Sequence, residues 1–293
     1  MQDSLIPSWL RGSLTFVLLV AVLCFWFVVM LPAVLLRLVP VYRVQRLASR
    51  LCVAVAECWV ASNARLLRLL HPLRWQIDID AALDPRKSYL LVANHQSWAD
   101  IPVIFDAFHR KTPFARFFMK RDLLYVPIIG QVCWAMDMPF MTRRAGGSDI
   151  ETTRRACAVY REVPVTVVNF LEGTRFTPAK HADTTSPYAR LLRPKSGGLS
   201  YTLEAMGEQF AGILDVTVDY QPTTRPLAWS WLCGEQSELT LHARLRPVPL
   251  HLLQPGGRFD RNGLQDWLHA LWLEKDARLV AGERVSDGVT EAG

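Results

Sequence analysis

The run Asn94-His95-Gln96-Ser97-Trp98-Ala99-Asp100 puts an imidazole and a carboxylate five residues apart. On a continuous helix the two side chains would project about 140° apart. They meet only if His95 stands in a turn and Asp100 lies in the first turns of a following helix. There the carboxylate accepts the imidazole Nδ1–H, fixes the tautomer and leaves Nε2 as a base. No cysteine and no G-x-S-x-G serine stands nearby as an acyl-accepting nucleophile. The proton removed would then come from a hydroxyl of the substrate itself. A histidine that caps a helix and pairs with aspartate for structural reasons has the same spacing, so the pair alone does not separate the two readings.

A second constellation shifts the weight toward chemistry. Phe170-Leu171-Glu172-Gly173-Thr174-Arg175 follows the apolar run Val165–Phe170, which reads as a central strand, and α/β sheets bind ligands beyond the carboxyl ends of such strands. Arg175 offers a guanidinium fork for phosphate, Gly173 a close backbone approach and Thr174 a hydroxyl. Arg143, behind a short strand Pro139–Thr142, is a candidate second phosphate clamp, and Lys120 and Lys195 are further candidates. A structural ion pair for Arg175 and a solvated loop position for Lys195 are the competing readings.

These residues need a sheet to position them. Trp75, Ile77 and Ile79 alternate with polar residues as in a half-buried strand. Ser88–Ala93 is a short apolar strand, and Ile213–Tyr220 and Glu238–Leu245 alternate again. Asp100–His109 reads as helix, Ser148 with Glu151 reads as a capping box opening a helix to about Glu162, and Asn262–Ala281 is an amphipathic helix stopped by Gly282. The stretch Thr177–Gly198 reads as one long loop. Strands interleaved with helices predict an α/β fold, a mixed central sheet flanked by helices.

The chain has a different character before residue 73. Gly12–Leu36 is a charge-free run of 25 residues, and a bilayer core needs about 20. It predicts a transmembrane helix over about 12–36. The next segment, about 41–70, confines Arg43, Arg46, Arg50, Glu57, Arg65 and Arg68 to one arc of roughly 100° on a helical wheel. That is a basic amphipathic helix, lying on the bilayer or docked on the domain behind it. Residues 1–72 form a membrane region and 73–293 the globular domain. The first 72 residues hold seven arginines against Asp3 and Glu57, so most of the net charge of +6 sits there. A nucleic-acid binder spreads its basic surface over the folded domain; here anionic lipid is the natural partner. A mean hydropathy of +0.13 with 51% hydrophobic residues excludes a disordered chain. The six cysteines contain no C-x-x-C pair, which argues against a zinc site or disulfide framework.

Taken together, these blocks resemble the glycerolipid acyltransferases typified by 1-acylglycerol-3-phosphate acyltransferase, the PlsC-like family. The N-H-x4-D block stands at Asn94, His95 and Asp100. The second block reads Phe140-Met141-Thr142-Arg143, with Asp137 where the family often has glycine, and the third has Leu171 in place of proline. The extension Glu172 to His181 and the fourth block Asp215-Val216-Thr217 are similar to a branch that includes the bacterial YihG-type enzymes. The resemblance implies acyl transfer from an acyl-CoA or acyl carrier protein thioester to a lysophospholipid hydroxyl, without metal or cofactor. The acceptor it points to is 1-acylglycerol-3-phosphate; another lysolipid head group, or a non-catalytic lipid-binding relative, is the alternative. His95 would be the base and Asp100 its orienter. Arg143, Glu172, Gly173, Thr174 and Arg175, with Lys120 and Lys195, would form the phosphate site. The positive flank behind residue 36 and the family together predict a bacterial inner membrane protein with its catalytic domain in the cytoplasm.

Overall fold

The computed structural model describes residues 7–142 and 147–282. Two long helices come first, α1 (Ser8–Leu36) and α2 (Tyr42–Leu70). The α/β unit follows as β1 (Gln76–Ile79), β2 (Ser88–Ala93), α3 (Asp100–Phe108), β3 (Ala115–Phe117), β4 (Met119–Lys120), α4 (Ile129–Ala135), β5 (Phe140–Met141), α5 (Gly147–Tyr160) and β6 (Thr166–Phe170). It continues through α6 (Pro178–Asp183), α7 (Ser196–Met206), β7 (Phe210–Tyr220), α8 (Leu227–Leu232), β8 (Leu239–Arg246) and α9 (Arg261–Ala281).

Six strands form one sheet in the order β1-β8-β7-β2-β6-β3, and β4 and β5 form a separate two-stranded ribbon. β7 and β8 run antiparallel and the other pairs parallel, so the sheet is mixed as expected. β2 is apolar on both faces because helices cover both. Tyr89, Leu91 and Ala93 pack into a core shared with α1, α2, α3 and α8, whereas Leu90 and Val92 join α5, α7 and α9 on the other side.

Two expectations need correction. Thr177–Gly198 is not one loop: Thr177 caps α6 by accepting the Lys180 N–H, with Pro178 in the first turn, and Ser196 already opens α7. That Thr-Pro start is a helix signal in its own right. β7 begins at Phe210, three residues before the alternation at Ile213 suggests, because Phe210 and Gly212 continue the strand without a regular alternation. β5 lies inside the short strand expected at Pro139–Thr142, whereas β4 and the short α4 and α8 carry too little periodicity to be read. α5 lies where expected, but the side chain of Ser148 is outside the described residues.

α1 is long and apolar enough to cross a membrane. It packs along α2, and both of its ends are fastened to the globular unit. At the start, Arg11 Nε donates to Cys233 O at 2.6 Å, and Gly12 is so close to Cys233 and Trp229 that a Cβ would clash with the sulfur. At the end, Arg37 pairs with Asp137. α2 docks on the domain, as one of the two readings of its basic arc has it. Arg68 meets Asp106 at 2.6 Å, Glu57 meets His109 at 2.8 Å and Arg46 meets Glu162 at 3.3 Å. The same helix buries a stripe of Ala48, Cys52, Ala56, Val60 and Ala64. Arg43, Arg50 and Arg65 remain exposed.

Candidate active site

The C-terminal ends of β2 and β6 lie side by side, with Ala93 opposite Phe170. The chain leaves β2 through Asn94–Ala99 and leaves β6 through Leu171–Arg175. Asn94 is fully buried and clips the first exit to β7: Nδ2 donates to Val218 O and Oδ1 accepts the Val218 N–H, both at 2.9 Å. Only an amide can do both at once.

His95 Nδ1 lies 2.7 Å from Asp100 Oδ2, and that oxygen also accepts the N–H groups of Gln96 at 2.7 Å and Ser97 at 2.9 Å. Oδ1 takes the Tyr220 O–H at 2.7 Å. Four donors thus surround a carboxylate with no solvent exposure. An ionised carboxylate only accepts, so Nδ1 carries the proton and Nε2 is the free base nitrogen. The imidazole stacks on Phe170 at 4.0 Å and stays partly exposed. Nε2 has no protein partner among the described residues. Burial and the adjacent Asp100 carboxylate hold the Tyr220 phenol well above its usual value, so it remains a donor. Tyr220 was missed by sequence reasoning; its one signal was its position on the inward face of the alternating strand with Val216 and Val218.

The third block wraps around this dyad. Glu172 is buried, and both its oxygens are used internally: Oε1 accepts the His95 N–H at 2.9 Å and Oε2 the Leu192 N–H at 3.0 Å. Burial raises its pKa to about 7, against the opposing pull of those two N–H groups. The Glu172 carboxylate faces inward and holds two loops together, so it shapes the turn through the backbone. The Phe176 N–H reaches His95 O at 2.7 Å, so both backbone groups of His95 are tied to this block.

Gly173 has φ +68°, and a Cβ there would press on the Lys195 side chain at 3.3 Å. Lys195, at the N-terminus of α7, is thereby brought across the glycine. Lys180, missed as a site residue, donates through Nζ to Thr174 Oγ1 at 2.6 Å and to Arg175 O at 3.2 Å; its signal was its place within the extended third block. Arg175 is exposed, with its guanidinium 5.9 Å from the ring centre of Trp98 and no carboxylate partner among the described residues. Lys120 lies apart on β4, paired with Asp122, and is not brought to these groups. Arg143 lies outside the described residues. The arrangement places a base with an open nitrogen beside three cations: it can deprotonate a hydroxyl on a molecule whose anionic group the cations hold.

Known proteins are similar to this chain. The match to human 1-acyl-sn-glycerol-3-phosphate acyltransferase delta is 28% identical over 169 residues, covering 54% of this chain and 43% of that protein. The mouse gamma form is 29% identical over 172 residues with the same coverage. The matched part thus spans less than half of these relatives. The crystal structure of the 1-acyl-sn-glycerophosphate acyltransferase PlsC from Thermotoga maritima shares the fold, with a TM-score of 0.54 at 18% identity over 94% of this chain and 99% of that one. The acyltransferase family profile matches residues 75–221, which contain the dyad, the glycine turn and its cations, and the chain belongs to that family.

Proposed function

We propose that the chain transfers an acyl group from a thioester to the free hydroxyl of a lysophospholipid, with 1-acylglycerol-3-phosphate the acceptor and phosphatidic acid the product. The observation that carries this reading is the His95–Asp100 dyad at the same strand ends as Arg175, Lys180 and Lys195. His95 Nε2 takes the hydroxyl proton as that oxygen attacks the thioester carbonyl. The C–O bond forms, the C–S bond breaks, and the departing thiolate recovers the proton from His95. Asp100 holds the imidazole and stabilises its cation. Because no protein nucleophile meets Nε2 among the described residues, both substrates react directly. The donor, a coenzyme A or acyl carrier protein thioester, is a co-substrate and no cofactor enters the step. Arg143 is assigned to the same acceptor phosphate. Residues Glu172 to His181 and Asp215-Val216-Thr217 support the YihG-type branch.

The helix pair, residues 1–72 in this division of the chain, is the membrane-facing part. A 29-residue helix is about 43 Å long, and α1 has both ends fastened to one globular unit. We therefore place it in the plane of one leaflet, its apolar outer face in lipid and exposed α2 arginines at the head groups. The bacterial inner membrane, cytoplasmic side, is the assigned location. Purified protein given a long-chain thioester and a panel of lysolipids tests the activity. Thioester should be consumed only with acceptor, fastest with lysophosphatidate. Consumption without acceptor would mean a hydrolase, and binding without turnover a non-catalytic relative.

A further inference from the structure

We propose that α9, outside the family-matched segment, is part of the catalytic apparatus, with Asp276 and Trp272 as positioning residues that hold His95 through Glu172. The hydrogen bonds, joined by the short backbone run 189–192, connect α9 to His95. The Asp276 carboxylate spans two successive amides, accepting the Ala189 N–H at Oδ2 and the Arg190 N–H at Oδ1, both at 2.7 Å. One helical turn earlier, Trp272 Nε1 donates to Leu192 O at 3.1 Å. Leu192 N–H donates to Glu172, and Glu172 accepts the N–H of His95. Further attachments fix the same short segment: Tyr188 OH lies 2.7 Å from His269 Nδ1, and the Arg190 guanidinium reaches Leu279 O on α9 and Asp219 on β7.

α9 is itself held in register by a buried charge. Lys275 has no solvent exposure and pairs with Asp215 on β7 at 2.7 Å, with Val216 O and Thr217 Oγ1 as further acceptors. Lys275 cannot slide along β7 without leaving a buried ammonium unpaired. Trp272 and Asp276 therefore present a fixed template to residues 188–192. Glu172 depends on that template, because Leu192 N–H is one of only two hydrogen bonds that its buried carboxylate accepts among the described residues.

This proposal rests on the acyltransfer reading only for its kinetic arm. Hydrogen exchange of the full-length protein, read on peptides covering 93–97, 171–176 and 188–192, compares wild type with Asp276→Asn. The amide keeps one acceptor and loses the second. Trp272→Phe, which keeps the ring packing and drops only the N–H, serves if Asp276→Asn fails to fold. Exchange should quicken at 188–192, at the Glu172 turn and at His95, while peptides from β7 and β8 stay protected. In the transfer assay kcat should fall about ten- to hundredfold, as expected when a base is displaced, with KM for the thioester little changed. Faster exchange confined to 188–192, with kcat intact, would overturn the proposal and make α9 a scaffold only. Faster exchange at His95 in a protein that transfers no acyl group would sustain the positioning and sink the activity instead.

Discussion

Arg37 at the end of α1 pairs with Asp137, and Asp137 stands at φ +62° just before the second sequence block. Its other oxygen accepts the Ser49 hydroxyl of α2 at 2.7 Å, and its carbonyl accepts the Tyr160 O–H at 2.7 Å. The left-handed backbone there is one that glycine adopts most readily, and aspartate is among the side chains that tolerate it. In exchange for modest strain the chain gains a carboxylate that ties both N-terminal helices to the loop leading into Phe140–Arg143. Buried Arg116 lies in the same charge cluster, over the Tyr160 ring at 5.0 Å.

Asp137→Ala should accordingly cost more than Asp137→Gly. Both lose the bonds to Arg37 and Ser49, with hydrogen bonds to charged groups contributing about 1.5–3 kcal/mol each. Alanine also keeps the left-handed penalty of about 1–2 kcal/mol that glycine escapes. Denaturant unfolding of the two variants in detergent checks the order. Equal stabilities would mean that the backbone conformation at 137 contributes nothing.

The proposed in-plane placement of α1 predicts that both of its ends share a side. Single cysteines at Trp9 and Leu38, both exposed, in a background with Cys24 and Cys58 replaced by serine, should react with an impermeant maleimide from the same face of sealed vesicles. Labelling from opposite faces would restore a spanning helix and break the Arg11–Cys233 contact. Alkaline carbonate does not separate these two, since a deeply buried in-plane helix resists it as well.

Asp100 accepts more than the His95 Nδ1–H, so Asp100→Asn should not be a mild change. Three further donors, the Gln96 and Ser97 N–H groups and the Tyr220 O–H, point at its oxygens. An asparagine must turn an NH2 toward at least one of them. His95→Ala should lower kcat by about 10²–10⁴ with stability almost unchanged. Asp100→Asn should lower both, and Tyr220→Phe should lower kcat least. A fully active His95→Ala enzyme would remove the dyad from the mechanism.

The two chemical blocks were legible because each is local. His95 and Asp100 are five residues apart, and Glu172, Gly173 and Arg175 fall within four. What supports them was not, because it arrives from far along the chain. Tyr220 reaches Asp100 across 120 residues, and Asp276 reaches Ala189 across 87. The inward turn of Glu172 was equally hidden: its sequence context offers a carboxylate to the site, and only the Leu192 amide, 20 residues on, draws it inward. The docking of α2 lies in the same class. An amphipathic pattern records that one face is covered, and lipid and protein cover it with the same residues. Only Asp106, His109 and Glu162, meeting their partners in space, identify the cover.

Glu172 also sets a pH dependence. Burial holds its folded pKa at about 7 against an ordinary value of 4.5. The folded state then binds a proton more readily than the unfolded one between those values. The resulting stability is fully present below about 4.5 and is lost as pH rises through about 7. Glu172→Gln removes that titration. Its melting temperature should therefore fall less than the wild type's between pH 5 and 7.5. Parallel curves would show that Glu172 ionises normally.

Arg175 is the residue at which ligand and scaffold readings part most clearly. Its guanidinium is exposed, rests over Trp98 and meets no carboxylate among the described residues, while Lys180 and Lys195 converge on the same turn. Arg175→Lys keeps the charge and loses the planar fork that grips phosphate with two parallel bonds. Losing one charged hydrogen bond of about 1.5–3 kcal/mol should raise KM for lysophosphatidate by roughly ten- to hundredfold. KM for the thioester should hardly move, since the carbonyl end makes no use of that guanidinium. Melting temperature should also hold, because an exposed arginine without an ion pair contributes little to stability. Lys180→Met is the companion variant: it removes a charge and frees Thr174 Oγ1, so it should raise the same KM and leave the thioester's alone. If Arg175→Lys melts early while its lysophosphatidate KM stays at the wild-type value, the cations around Gly173 hold the turn together, and the acceptor phosphate must bind elsewhere.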